Sequence, residues 1–155
     1  MRYYIGMKNR IVLFVIWCLF GIWDLGFGAF RVNAIVDPLQ VPNNKIGVHI
    51  LDTGEIFSAA KLVNANGGSW GYVTIPIRID DRNREKWTEF FNKSRENKVI
   101  PIIRLATYFS GGNWAAPTTF DLVDFANFLS DLPWPTKNRY IVLFNEPNHS
   151  KEWGG

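Results

Sequence analysis

From residue 46 onward the chain alternates short runs of apolar, largely β-branched residues with longer stretches in which apolar side chains recur at helical spacing. Four short runs stand out, at residues 46–51, 72–79, 99–105 and 140–144. Each is apolar at nearly every position rather than at every second one, the pattern of a strand whose two faces are both covered. The intervening stretches read as helices. Residues 55–66 carry Ile56, Ala59, Ala60, Leu62 and Val63 on one side, follow Asp52 and Thr53 as candidate caps, and stop at Gly67-Gly68. Residues 84–97 place Trp87, Phe90, Phe91 and Ser94 at the i, i+3, i+4, i+7 spacing, with Lys, Arg and Glu opposite. Residues 118–132 open on Thr118 and Asp121, a capping-box-like pair, repeat Leu122, Phe125, Phe128 and Leu129, and end at Pro133 and Pro135.

This rhythm predicts an α/β domain with a parallel sheet, at about 30 residues per strand-and-helix unit. A segment of a (β/α)₈ barrel and an open doubly wound sheet share that rhythm, and spacing does not separate them.

Ahead of the domain, Arg2, Lys8 and Arg10 flank an unbroken apolar run, residues 11–23, closed by Asp24. That is the order of an export signal. Thirteen residues of helix span roughly 20 Å, short of the roughly 30 Å hydrocarbon core. A cleaved signal peptide over residues 1–34 is the preferred reading, with Val32-Asn33-Ala34 as the cleavage site. The competing reading is an uncleaved anchor, in which residues 25–30 extend the apolar segment and residues 11–30 contact the membrane. Either way the protein is expected to be exported, with residues 35–45 as a linker and residues 46–155 as the domain.

Charge adds little to this picture. Lys and Arg number 17 against 14 Asp and Glu, but the excess precedes Ile35, where Arg2, Lys8, Arg10 and Arg31 are opposed only by Asp24. The rest is formally neutral with interleaved signs, which argues against nucleic acid as a partner. The single cysteine, Cys18, lies in the apolar run, so neither an internal disulfide nor a cysteine metal site is available. His49 and His149 belong to no HExxH pair, and neither a GxGxxG nor a GxxxxGK[ST] pattern occurs, so no metal and no cofactor is expected.

In parallel α/β folds, ligands meet the C-terminal ends of the strands. Those ends carry His49, Asp52 and Thr53; then Arg78, Asp80 and Asp81; then Arg104, Thr107 and Tyr108, with Trp114 further on; and finally Asn145, Glu146, Asn148 and His149. In the last set an apolar run, Ile141-Val142-Leu143-Phe144, delivers Asn145-Glu146-Pro147 side by side onto the rim.

This run resembles the fourth strand of clan A glycoside hydrolases, the cellulase-like TIM barrels, where an Asn-Glu-Pro motif ends that strand and the Glu is the acid/base. Glu146 likewise follows the fourth expected strand. The resemblance covers residue 45 onward and implies the N-terminal half of a (β/α)₈ barrel, about four βα units, acting on the O-glycosidic bonds of poly- or oligosaccharides by a two-carboxylate retaining mechanism. It implies that Glu146 protonates the leaving oxygen and later activates water, and that Asn145 binds the hydroxyl beside the anomeric carbon. His49, Trp114 and His149 are the further candidates for the carbohydrate substrate, Trp114 by stacking on a sugar ring. In the family an Arg precedes an Ile-Pro-Ile-like stretch of strand two; here Thr74 stands before Ile75-Pro76-Ile77 and Arg78 comes after it. The nucleophile is implied on strand seven, so the four units are expected to be inactive alone, as part of a truncated product. The alternatives are a non-catalytic carbohydrate-binding or envelope protein on the same scaffold, and a doubly wound interaction domain. For Asn145-Glu146-Pro147 the competing local role is to cap a following helix.

Overall fold

A computed structural model describes residues 45–146 and 148–152. The expected signal segment, residues 1–34, and all of the expected linker but Lys45 lie outside the described residues. The elements are β1 (Gly47–His49), a 3₁₀ turn (Thr53–Glu55), α1 (Ile56–Val63), β2 (Gly71–Arg78), α2 (Arg84–Glu96), β3 (Val99–Ala106), β4 (Phe109–Ser110), β5 (Asn113–Trp114), α3 (Thr119–Ser130), β6 (Tyr140–Val142) and a second 3₁₀ turn (Ser150–Glu152). Four strands form one parallel sheet in the order β1-β2-β3-β6, and β4 and β5 form a small antiparallel hairpin.

All four expected strands and all three expected helices are present. Two strands are shorter than their apolar runs. β1 stops at His49 because the chain turns into a cap. Ile50 N–H still donates to the Thr74 carbonyl at 2.9 Å, but the N–H groups of Leu51 and Asp52 donate to the Glu55 carboxylate at 2.9 and 3.1 Å. β6 stops at Val142 because Phe144 has φ +60°, outside the extended region.

The sheet order follows the chain without reversal, so the described strands contain no switch point of the doubly wound kind. The helices share one face of it. A single core joins Ile56, Ala59, Ala60 and Val63 of α1, Trp87, Phe90 and Phe91 of α2, and Phe125, Phe128 and Leu129 of α3 to Val73, Ile75, Ile77, Ile103 and Leu105 of the sheet. At about 1.5–3 kcal/mol for each large apolar side chain, this layer is the main source of stability. Leu62 and Leu122, expected in it, are 62% and 43% exposed. Leu62 lies about 100° around the helix from Val63, off the buried stripe, and Leu122 stands a turn ahead of Phe125.

The opposite face carries the alternate residues of each strand. In register across it lie Tyr72 and Ile100, then Thr74, Ile102 and Tyr140, then Pro76, Arg104 and Val142. No described helix covers it. Tyr72, Thr74, Pro76, Ile102 and Arg104 are half-buried, whereas Ile100 is fully buried. The continuous apolar pattern of the strands is therefore not a sign of helices on both faces; one face packs on helices and the other presents a mixed surface of tyrosine, proline, isoleucine and arginine.

Candidate active site at the strand ends

The C-terminal end of this second face is built mainly by two loops. After β3 the chain forms the β4–β5 hairpin, whose central residues Gly111 and Gly112 have φ +61° and +88°. Two successive positive φ values make the tight turn that matches strand twist, and glycine adopts them without steric cost. Trp114 emerges from it half-buried, its ring edge-on to Phe109 at 5.5 Å. After β6, Phe144 turns back against the core and Asn145 follows it, half-buried. The 3₁₀ turn Ser150–Glu152 packs against Asn113–Trp114, so the two loops meet.

Between them lies a cavity of about 20 Å³ lined by Arg104, Leu105, Ala106, Thr107, Trp114, Phe144 and Asn145. Arg104 alternates with the buried Ile103 and Leu105, which places it on the second face. Its Nε is buried and finds no hydrogen-bond acceptor among the described residues. Thr107 is buried at 3% exposure.

Two of the five expected site residues, Asn145 and Trp114, come together here. Glu146 is adjacent but exposed, and it does not line the cavity. Its φ of +35°, like that of Phe144, is one that side chains other than glycine rarely adopt, at a cost of about 1–2 kcal/mol per residue. A turn holds it, in which His149 N–H donates to the Glu146 carbonyl at 2.8 Å. His149 is exposed and contributes through that backbone bond. His49 is exposed at the far edge of the sheet, three strand spacings, or roughly 14 Å, from β6. It borders a separate groove with Val48, Ile50, Glu55, Ser58, Ala59 and Leu62.

The other carboxylates at the strand ends are engaged. Asp52 caps the first 3₁₀ turn, accepting from Gly54 N–H at 2.7 Å. Asp80 takes a two-pronged hydrogen bond from Arg78, Nε to Oδ1 at 2.8 Å and Nη2 to Oδ2. That bond holds the Asp80 carboxyl below the usual carboxylate range and raises the Arg78 guanidinium. Asp81 pairs with Lys86 at 2.5 Å. Glu146 is the strand-end carboxylate with neither a cation nor a cap among the described residues.

Arg104 stands among the strand-end residues of the sequence but not among the five expected site residues. The available signal is a cation at an alternate position of an otherwise apolar run, between two residues bound for the core. Among the described residues no three His, Cys, Asp or Glu side chains cluster to hold a metal ion. Comparison with known proteins finds no family model, no curated protein and no solved structure that matches this chain.

Proposed function

We propose that this chain forms four units of a (β/α)₈ barrel and carries the acid/base half of a retaining glycoside hydrolase site, with Glu146 as the acid/base. The observation that carries the reading is positional. Asn145-Glu146 follows, after Leu143 and Phe144, the fourth strand of a parallel sheet whose order follows the sequence, with the described helices packed on one face, as a barrel segment requires. Glu146 is the uncommitted carboxylate of that rim, so it is available to deliver a proton to a leaving oxygen. Asn145 and Trp114 face a shared cavity and supply an amide for a sugar hydroxyl and an aromatic surface for a ring.

The retaining mechanism needs a second carboxylate about 5 Å from the first. The resemblance assigns it to a seventh strand, which the four described strands do not include. The 155-residue chain by itself is therefore expected to show no turnover on O-glycosides. A barrel that joins these four units to a strand-seven carboxylate is expected to hydrolyse them, with Glu146→Gln lowering the rate by about 10²–10⁴. Unchanged turnover in that variant, or hydrolysis by the isolated chain, contradicts this.

One observation favours a second reading. Asn145 and Trp114 line the cavity while Glu146 does not, an arrangement that serves sugar binding without cleavage. Saccharide binding that depends on Trp114, with no turnover in a barrel completed through a seventh strand, selects it. Residues 1–34 complete the proposal as the export signal, or the anchor, that brings the domain to extracellular glycans.

A further inference from the structure

We propose that Arg104 makes this site selective for acidic sugars, receiving the carboxylate of a uronic acid unit in the cavity it lines; the inference rests on the glycan-acting reading above. Arg104 lines that cavity from β3, in register with Pro76 on one side and Val142 on the other. Its Nε is buried without an acceptor among the described residues. The other arginines nearby are differently placed. Arg78 is matched to Asp80, Arg82 to Asp124 at 3.2 Å, and Arg84 to Asp131 at 3.1 Å.

No acid lines the cavity. A half-buried cation whose Nε is out of solvent, with threonine, leucine, alanine, phenylalanine, tryptophan and an amide around it, favours an anion, because these walls supply no acceptor of opposite charge. The volume, about 20 Å³, selects the kind of anion. It has room for about one water-sized group, enough for a carboxylate oxygen beside Arg104. A carboxylate on C5 of a pyranose meets this requirement: the head group enters and the ring stays outside. The planar fork of arginine suits carboxylate oxygens. Trp114 lines the same cavity and supplies an aromatic surface for the ring.

The test compares methyl glucuronide with methyl glucoside, which differ in having a carboxylate or a hydroxymethyl group on C5, by calorimetric or NMR titration of the full chain. Acetate serves as a third ligand. The glucuronide is expected to bind on the order of ten-fold more tightly than the glucoside. Arg104→Gln is expected to abolish the difference, and Arg104→Lys to keep part of it. Equal affinity for the two sugars, or no binding of either, overturns the proposal, and this comparison needs no variant. Acetate and glucuronide binding equally, both through Arg104, would overturn the sugar assignment and leave a general anion site, with the glycan reading still decided by turnover. Binding of the glucoside with no gain for the glucuronide would instead refute the role of Arg104 alone and leave the glycan reading intact.

Discussion

Tyr72 and Tyr140 meet edge to face across β3, with ring centroids 6.0 Å apart and planes at 84°. Their strands are not neighbours. β3 lies between them, so their backbones stand on the order of 9–10 Å apart, and the two rings meet over β3 on the face without helices. Burial and the neighbouring Tyr140 push the Tyr72 phenol above the ordinary tyrosine range. Its ionisation is thus disfavoured in the folded chain. The corresponding stability is present below the unfolded value and is lost as pH rises through the folded one. In an absorbance titration, Tyr72→Phe is expected to remove a late-ionising phenol, and the alkaline fall in stability should shrink with it. An unaltered titration curve would show that this face is solvated.

Phe91 is fully buried between α2 and the sheet, with Phe90 at 5.6 Å and Trp134 at 4.7 Å. Truncation there leaves a cavity that rigid neighbours fill poorly. Phe91→Ala is expected to lower unfolding free energy by about 3–5 kcal/mol in urea denaturation. The exposed Phe120, 84% accessible, should tolerate the same change within about 0.5 kcal/mol.

The start of α3 is a reciprocal cap. Asp121 N–H donates to the Thr118 hydroxyl oxygen at 3.2 Å, and the Asp121 carboxylate accepts from the Thr118 backbone N–H at 2.8 Å. Thr118→Ala is expected to cost about 1 kcal/mol. Hydrogen bonds from Thr118 hold the Asp121 carboxyl below its ordinary value. Its contribution is therefore complete above the unfolded carboxylate range and disappears as pH falls through the folded value. Asp121→Asn should reduce the acid sensitivity of the melting temperature, by a small amount because the pair is solvent-exposed. An identical acid profile in both proteins would contradict the assignment.

Much of the layer that holds the site was legible in the sequence, because helical periodicity and caps are local. Trp87, Phe90, Phe91 and Ser94 are all buried, and Thr118 caps α3 as its spacing with Asp121 implies. The Phe109–Trp114 hairpin was equally local. Its Gly111-Gly112 turn is a hairpin signal, but strands of two residues carry too little pattern to register. The site was less legible, because it depends on what the sheet brings together. Arg104 and Asn145 are 41 positions apart in the chain and line one cavity through the pairing of β3 with β6. His49, close to the motif in chemistry, sits at the other edge. The alternation of strand faces could have identified Arg104, since Ile103 and Leu105 so clearly belong to the core.

The role of Glu146 is tested most directly by leaving-group dependence in a barrel that joins these four units to a strand-seven carboxylate. An acid/base matters most when the departing oxygen needs a proton, and it is needed again to activate water on the glycosyl-enzyme. For Glu146→Gln we predict a large loss with alkyl glycosides and a much smaller loss of leaving-group release with dinitrophenyl glycosides. Added azide should restore turnover and yield a glycosyl azide of retained configuration. A loss of equal size on both substrates, with no azide product, would contradict Glu146 as the acid/base.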